Sequence, residues 1–496
     1  MKLLSKSAFG CYAGVTITAL LSFFLFSYNF YPFFNSDSAL AVLMAYDYHL
    51  PQDIYCWGQD RGGTFEMMIT HFFISVFHAN PLVAASIIHY LILTAGLLAA
   101  FHFIRKPLTR LALSIAWFFP SRFFLETILY QFGTQFSLFV IAIYFFSKAT
   151  SSQKKYVFIS LSWLFMLLSC WVLDLGLVPA AFLILFIPFT MLMEKRLPGI
   201  LYPGIRNLWN RKIILISLLW VALGISFIAF AKHSSRDYHS DPEALLNDAH
   251  GIYAVLASIT NSIVARLLPG GKLPECIYLY ALIIFLIIFF KRYGKQGPVN
   301  FFSTFFLWQS VFGILFLMFL KQLLTGQVPA RYFADSYFSF IVFIFMTLDK
   351  WDTKSFALKL SLFAVLTCSV FSTGYENFLP EKLPPMVKNF ESLNRLKPVG
   401  IIGSYWHSYL FAAIDPAMIK ATPHEQDYVR NRELALQALS QPRILLIQND
   451  WLMDFPDSIS QFGTMLVKKG NPFLLGRYVS WEEHNPVMAC EYKTTP

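Results

Sequence analysis

Residues 35–80 read NSDSALAVLMAYDYHLPQDIYCWGQDRGGTFEMMITHFFISVFHAN and interrupt a chain that is otherwise dominated by long apolar segments. This stretch follows the first apolar segment directly and carries five acids with a single base. The acids are Asp37, Asp47, Asp53, Asp60 and Glu66, and the base is Arg61. Carboxylates concentrated beside an apolar segment predict a functional polar loop at one face of a membrane.

The composition predicts a polytopic membrane protein. Of the 496 residues, 56% are hydrophobic and 14% are charged, whereas soluble domains have about 25% charged residues. One helical crossing needs about 20 apolar residues, and such segments recur through residue 373. We expect eleven crossings, at about 8–31, 80–104, 108–121, 131–147, 156–172, 175–193, 212–231, 275–290, 299–320, 331–348 and 355–373.

The positive charges follow the loops of this topology. The formal charge is +10, but the loops on the N-terminal side hold nineteen Lys and Arg residues against three acids. An excess of bases is typical of cytoplasmic loops. The charge therefore predicts a cytoplasmic N-terminus and an outer C-terminus, with membrane lipids and not nucleic acid as the partner of the basic side chains.

The first external loop, residues 32–79, has two segments with helical periodicity. Apolar residues recur at helical spacing in Ser38–Tyr48 and again in Glu66–Phe77, and both segments are too short to span a membrane. Gly58, Gly62 and Gly63 lie between them and predict a turn. We therefore expect two interfacial helices on either side of a glycine-rich bend.

Residues 374–496 differ from the rest of the chain. They contain prolines, mixed charge and short strand-like runs at 444–448 and 487–492, with a helix expected at about 425–440. This pattern predicts a small extracytoplasmic α/β domain after a transmembrane domain of residues 1–373. Cys56 and Cys490 would both be outside, where a disulfide is one alternative and two free thiols are the other.

Asp37 is the first candidate for chemistry. A carboxylate at the membrane boundary is partly removed from water, which suits a general base. The alternative is that Asp37 or Ser36 caps the helix that follows. Acids such as Asp60 and Glu66 in an outer loop are more often solvated, although two or three of them could hold a divalent cation such as Mg or Mn.

Two further positions carry charge at the predicted ends of spans. Arg331 begins a late span and is followed by Tyr332; its guanidinium could bind a phosphate, or it could anchor the helix at the interface. Arg122 and Glu126 are four residues apart, and we expect them to pair on a helix, with a role in substrate binding as the alternative.

The loop resembles the first external loop of GT-C fold glycosyltransferases of bacteria, a superfamily that includes protein mannosyltransferases, aminoarabinose transferases and RgtA-to-D-type enzymes. The family pattern has an acid just after the first span and then a stretch like G-Q-x-Y-G-G-x-L-E. ARYF at 330–333 and GSYWHSYLFAAIDPAMIKATP at 403–423 are similar to two later family segments. The residues that match the loop pattern are Asp37, Gln59, Gly62, Gly63 and Glu66, with Arg61 in place of the usual aromatic residue.

The resemblance implies an inverting transfer of a sugar from a polyprenyl-phosphate donor. Asp37 would be the catalytic base or its organiser, and Glu66 a second site carboxylate. Asp47 and Asp53 would be surface residues. Gly62 and Gly63 would form the turn, and metal dependence varies among such proteins. The expected substrate- or phosphate-binding residues are Gln59, Asp60, Arg61, Arg331 and Tyr332.

We therefore expect a multi-pass glycosyltransferase of a bacterial inner membrane, acting on the periplasmic side on a lipid-linked or cell-envelope glycan. One alternative is a transporter of polysaccharide or lipid-linked glycan, which would place polar or broken helices near the bilayer midplane; Asp174 is the main candidate for such a position. Another is an O-antigen ligase or polymerase acting through a large loop such as 232–274.

Overall fold

The computed structural model describes residues 6–59, 61–194, 208, 210–235, 247–267, 273–296, 300–319, 329–351, 355–374, 384–479 and 484–495. Contacts divide the chain into two compact units. The first comprises Met1–Ser22, Leu91–Phe227 and Asp241–Pro380, and the second Phe23–Tyr90, Ile228–Ser240 and Glu381–Pro496. The first external loop thus belongs to the same compact unit as the C-terminal residues. The predicted domain boundary between residues 373 and 374 stays a prediction.

The described residues form seventeen α-helices and seven strands. The helices are α1 Lys6–Phe26, α2 Ser36–Tyr46, α3 Phe65–Phe77, α4 Pro81–Ala100, α5 Pro107–Phe118, α6 Glu126–Leu129, α7 Gln131–Ser151, α8 Lys155–Val172, α9 Leu177–Glu194, α10 Arg211–Ser234, α11 Ala249–Leu267, α12 Leu273–Gln296, α13 Phe301–Met318, α14 Ala334–Lys350, α15 Phe356–Gly374, α16 Tyr405–Ile414 and α17 Arg432–Leu439. The strands are β1 Val399–Gly403, β2 Ile419–Pro423, β3 Ile444–Ile447, β4 Ser458–Gln461, β5 Thr464–Lys468, β6 Phe473–Val479 and β7 His484–Thr494.

The helical polytopic architecture with a C-terminal sheet is confirmed. In the part of the chain that the structure describes, nine helices are long and apolar enough to cross a membrane, or ten if one bent pair is counted. These nine correspond to nine of the eleven predicted spans. The other two predicted spans, 108–121 and 175–193, differ from the prediction.

The predicted span at 108–121 is broken in the structure. Helix α5 and the segment Arg122–Leu129 form a pair bent by 66°. Pro120 lies at the break, where its ring removes a backbone donor and excludes a continuous helix. The predicted span 175–193 corresponds to α9. The apolar helical segment Asp174–Thr190, which contains most of α9, is shorter than the nine candidates.

The first unit is held together by helix pairs and aromatic contacts. Helix α7 packs against α8, α13 against α14, and α12 against α15. Within this core the rings of Phe136 and Phe338 are stacked with centroids 5.1 Å apart, and Trp117 lies 4.7 Å from Phe338. Aromatic pairs of this kind contribute about 0.5–1.5 kcal/mol beyond area burial.

The second unit is built on a mixed sheet with the order β2-β1-β3-β7-β5-β4 and with β6 paired to β7. Strand β1 is parallel to both β2 and β3, and the remaining pairs are antiparallel. Helix α16 connects β1 to β2, and α17 connects β2 to β3. The helix expected at 425–440 is the shorter α17, and the runs 444–448 and 487–492 contain β3 and part of β7.

Helix α2 shares one hydrophobic core with this sheet. Val42 and Met44 of α2 belong to the same buried cluster as Ile401 of β1 and Tyr409 of α16. Helix α3 instead exposes a row of apolar side chains, Phe72, Phe73, Val76 and Phe77. An interfacial location for these two helices stays a prediction. Cys56 and Cys490 do not form a disulfide, so the disulfide alternative is wrong.

Candidate active site

Asp37 is held by a tyrosine of the C-terminal segment. Asp37 lies in the first turn of α2, where Asn35 is the N-cap and its Oδ1 accepts a hydrogen bond from the backbone of Ser38. The alternative in which Asp37 or Ser36 caps the helix is therefore wrong. The hydroxyl of Tyr405 donates to Oδ1 of Asp37 over 2.6 Å. Because α16 packs against α2, the first residue of α16 reaches the first turn of α2.

Tyr405 is a protonated donor. Its side chain is buried, and burial, followed by the nearby charge of Asp37, raises its pKa well above the ordinary value for a phenol. The guanidinium of Arg430, 5.3 Å from the ring centroid, opposes part of this shift. The phenol therefore keeps its proton at neutral pH and orients one oxygen of the Asp37 carboxylate.

Arg430 connects Tyr405 with the bend of the first external loop. Its Nη1 donates to the carbonyl of Gly58 over 2.6 Å, and its backbone N–H donates to the hydroxyl of Tyr409 over 2.9 Å. Its Nε is buried without a hydrogen-bond partner among the described residues. Gly58 has φ +57°, and a Cβ there would lie 3.3 Å from Cδ of Arg430, so two constraints favour glycine at this position.

The glycine-rich bend is closed by backbone contacts. The N–H of Cys56 donates to the carbonyl of Gly62 over 2.8 Å, and Gly63 forms an antiparallel bridge with Tyr55. Gln59 is half-buried in the bend and Arg61 is exposed. Asp60, predicted as a substrate contact, lies outside the described residues.

Asp53 holds the loop together through buried hydrogen bonds, and its interpretation as a surface residue is wrong. Its side chain is fully buried. One carboxylate oxygen accepts from Nε1 of Trp57 over 2.8 Å, and the other accepts from the backbone of His49 over 2.7 Å. Asp47, by contrast, has a half-exposed side chain, as predicted.

Glu66 forms a buried pair with a histidine. Both of its carboxylate oxygens lie 3.1 Å from Nδ1 of His89, and both side chains are buried. The ring of Tyr28 lies against the imidazole with centroids 5.4 Å apart. This contact joins the start of α3 to α4 and fixes the Glu66 carboxylate inside the second unit.

Arg331 and Tyr332 belong to the first unit. Arg331 Nη1 lies 3.8 Å from Oε2 of Glu126, and the guanidinium lies over the rings of Tyr130 and Tyr332 at 5.2 and 5.9 Å. In place of the predicted pair between Arg122 and Glu126, each of these two side chains pairs with a residue that is distant in the sequence. Arg122 Nε lies 3.4 Å from Oε1 of Glu275, because the bend after α5 turns this segment toward α12.

A divalent cation was one expectation for the acids of the loop. Among the described residues, no group of three or more His, Cys, Asp or Glu side chains is arranged to hold a metal ion. Glu66 is engaged by His89, and Asp53 by Trp57 and His49. The carboxylates of Glu66 and Asp53 therefore bind protein groups in this structure.

Sequence reasoning did not select Tyr405 or Arg430. Tyr405 stands in the similar segment GSYWHSYLFAAIDPAMIKATP, so its position in the family pattern was a usable signal. Arg430 follows that segment in an irregular stretch and has no motif around it. Both lie more than 300 residues from Asp37 in the sequence, and only tertiary packing shows that Tyr405 donates to its carboxylate and that Arg430 lies over the ring of Tyr405.

No protein-family model matches the sequence, and no curated protein does either. Among solved structures, ArnT from Cupriavidus metallidurans in the apo state is similar over 98% of both chains, with a TM-score of 0.57 and 8% identity. The same protein bound to undecaprenyl phosphate is similar over 98% of both chains, with a TM-score of 0.51 and 8% identity.

The chain has the GT-C fold. The fold predicted from the sequence is thus confirmed, and the similarity extends over nearly the whole of both chains. An archaeal oligosaccharyltransferase, AglB from Archaeoglobus fulgidus in complex with an inhibitory peptide and a dolichol-phosphate, is similar over 88% of this chain and 69% of its own. Its TM-score of 0.43 and identity of 11% support no conclusion about this chain.

Proposed function

We propose that the chain is a membrane glycosyltransferase that transfers a sugar from a polyprenyl-phosphate donor to a lipid-linked or cell-envelope glycan. The GT-C fold supports a transferase of this class. The fold is shared with ArnT, which has been solved with undecaprenyl phosphate bound, and this supports a polyprenyl-phosphate donor.

The observation that carries the proposal is the hydrogen bond between Tyr405 and Asp37. A general base must present one carboxylate oxygen in a fixed direction. A buried, protonated phenol at 2.6 Å fixes the other oxygen and leaves the carboxylate unable to rotate freely. This arrangement occurs at the acid that the sequence ranks first.

In the proposed reaction Asp37 takes the proton of an acceptor hydroxyl. The acceptor oxygen attacks the anomeric carbon of the donor sugar, and the bond from that carbon to the phosphate oxygen breaks. The leaving polyprenyl phosphate carries the electron pair away, and the configuration at the anomeric carbon is inverted. Cationic side chains that stabilise the departing phosphate lower the barrier.

Several side chains are proposed to bind substrate. Arg430 is added to the residues proposed from the sequence because its Nε is buried, has no hydrogen-bond partner among the described residues, and lies beside Tyr405. Glu66 is proposed as the second carboxylate. The proposed substrate or phosphate contacts from the sequence remain Gln59, Asp60, Arg61, Arg331 and Tyr332, with Gly62 and Gly63 forming the turn.

The proposed location is the inner membrane of a bacterium, with the loop and the C-terminal residues in the periplasm. The support is the bias of positive charge toward the other loops. A polyprenyl-phosphate donor and an envelope glycan would both be accessible from that side.

The test is sugar transfer from radiolabelled undecaprenyl-phosphate-linked monosaccharides, measured in membranes that contain the wild type or a variant. We expect Asp37→Asn to lower the rate at least about 100-fold, since a general base contributes 10²–10⁴-fold, and Glu66→Gln to lower it as well. Asp454→Asn, at an exposed position, is the matched control and should leave the rate unchanged.

Two results would contradict the proposal. Full activity of a normally folded Asp37→Asn variant excludes Asp37 as the base. If no donor is consumed while lipid-linked glycan crosses the bilayer in a manner that depends on this protein, the chain is a transporter.

A further inference from the structure

Polar side chains meet where the three parallel strands of the second unit end. Ser404 follows β1, His424 follows β2, and Asn449 lies two residues after β3. The chain leaves β1 for β2 on one side and returns to β3 on the other side of β1. In open α/β sheets, ligands bind outside the carboxyl ends of the strands at such a reversal.

One end of the Asn449 side-chain amide is hydrogen-bonded, and the other end has no partner among the described residues. Its Nδ2 lies 2.7 Å from Oγ of Ser404 and 2.8 Å from Nδ1 of His407, and these two atoms are 2.9 Å apart. Its Oδ1 is buried without a hydrogen-bond partner among the described residues. If the amide is turned over, the unpartnered atom becomes the nitrogen, so one polar end is unsatisfied in either orientation.

His424 presents a second unsatisfied atom. Its ring is stacked on Trp451 with centroids 4.7 Å apart and planes 8° from parallel, and Trp451 donates its indole N–H to the carbonyl of Ile447. Nδ1 of His424 is buried with no hydrogen-bond partner among the described residues. A buried polar atom without a partner costs about 1–3 kcal/mol, so two of them at one edge of a sheet indicate a missing ligand.

The imidazoles of this cluster are neutral at pH 7. Burial lowers the pKa of His407 to about 4, although the charge of Asp450 opposes the shift. Burial also lowers the pKa of His424, against the charges of Asp427 and Glu425. Neutral imidazoles and an amide suit an uncharged, hydroxyl-bearing ligand better than an anion.

The cluster adjoins the candidate base. Tyr405, the neighbour of Ser404, donates its hydroxyl to Asp37 and its backbone N–H to Oδ2 of Asp427 over 2.6 Å. The same Asp427 oxygen lies 3.8 Å from Nε2 of His424. A ligand bound by Ser404 of the cluster therefore lies beside Tyr405, the next residue in the sequence, whose hydroxyl orients Asp37.

We propose that Ser404, His407, His424, Asn449 and Trp451 form a saccharide-binding subsite that holds the acceptor glycan. The proposal rests on the proposed function and names the part of the acceptor that this chain recognises. Sugar hydroxyls both donate and accept, so they can satisfy the amide end of Asn449 and the ring nitrogen of His424 together. The half-buried Trp451 offers an aromatic surface for the C–H groups of a pyranose ring.

The test is saturation-transfer NMR on the full chain in detergent micelles. The probes are the methyl glycosides of glucose, galactose, mannose, N-acetylglucosamine and glucuronic acid. His424→Phe keeps the ring stack on Trp451 and removes the nitrogen, and Asn449→Leu removes the amide. We expect the wild type to bind at least one probe, and each variant to bind that probe about fivefold to tenfold more weakly.

Asn471→Leu, at an exposed position, is the matched control for Asn449→Leu and should bind like the wild type. Binding of no probe by the wild type overturns the proposal, and so does unchanged binding by both folded variants. Asp37→Asn separates the two proposals, because it should lose transfer and retain probe binding. Probe binding that depends on His424 and Asn449 supports the subsite even if no sugar donor is ever consumed.

Discussion

At the level of single residues, the hydroxyl of Tyr405 determines the orientation of the Asp37 carboxylate. The hydroxyl of Tyr405 is 2.6 Å from the carboxylate, and the same side chain lies under the guanidinium of Arg430. Hydrogen bonds to charged groups contribute about 1.5–3 kcal/mol. This contact is therefore strong enough to hold the carboxylate in one orientation.

We expect Tyr405→Phe to lower kcat roughly 10- to 100-fold with little effect on folding, because the variant loses only the donor to Asp37. The measurement is steady-state sugar transfer by the purified full chain. Tyr253→Phe, at an exposed tyrosine, is the control. An unchanged kcat for Tyr405→Phe would show that Asp37 does not depend on the phenol for its orientation.

His407 makes the second unit sensitive to acid. Burial lowers its pKa from 6.5 to about 4. Between these pH values the unfolded chain binds a proton at this imidazole that the folded chain does not bind. The free energy of unfolding therefore falls as the pH falls from 6.5 to 4, by at most about 3 kcal/mol at 1.36 kcal/mol per pKa unit.

His407→Gln should flatten this pH dependence. Its Tm should change less between pH 6.5 and pH 4 than that of the wild type, as measured by thermal unfolding of the full chain in detergent. His49→Gln, whose histidine is more than half exposed, should follow the wild type. Parallel pH profiles for the wild type and His407→Gln would contradict the prediction.

At the scale of elements, the bend between α2 and α3 depends on Asp53. The carboxylate accepts from a side chain and a backbone N–H on its own loop, and it is fully buried. The backbone carbonyl of Asp53 also accepts from the hydroxyl of Thr64. These contacts close the loop that contains Gly58, whose carbonyl accepts a hydrogen bond from Arg430.

Asp53→Asn should loosen the bend, because an amide in this orientation can accept at only one of the two carboxylate positions. Leaving a buried donor unpaired costs about 1–3 kcal/mol. We expect faster hydrogen–deuterium exchange in residues 47–64 and reduced sugar transfer. Asp47→Asn, at a half-exposed acid, is the control; equal exchange in the two variants would show that Asp53 has no special role.

At the scale of the whole molecule, the distribution of Lys and Arg predicts which side of the membrane each loop faces. The loop between α7 and α8 contains Lys154 and is followed by Lys155, the first residue of α8, and this loop is predicted to be cytoplasmic. The second unit, with the Tyr405–Asp37 contact, is predicted to be on the other side.

Single cysteines test this orientation in a chain whose six native cysteines are replaced. In intact spheroplasts, a membrane-impermeant maleimide should label Asn471→Cys and leave Gln153→Cys unlabelled until the membrane is permeabilised. Both positions are exposed, so a difference reflects the membrane and not burial. Labelling of Gln153→Cys before permeabilisation would reverse the predicted topology.

Much of the fold was predictable because it depends on local properties. Apolar length identified nine helices of the described part of the chain that are long and apolar enough to cross a membrane, and the family pattern around Asp37 and Gly62 indicated GT-C. The bend after α5 was not predicted as such, since hydropathy averages over Pro120 and cannot distinguish a bent pair from a span. Burial of Asp53 was also not predictable, because its donors lie on an irregular loop without periodicity.

The sequence by itself determined the class of the protein: its apolar spans, its charge bias and the acid at the end of the first span. These features follow from composition and from the spacing of residues that are close in the sequence. The hydrogen-bond partner of Asp37 is visible only in the tertiary structure. Tyr405 reaches Asp37 through the packing of α16 on α2, and a contact between residues so far apart leaves no periodic signal in a single sequence.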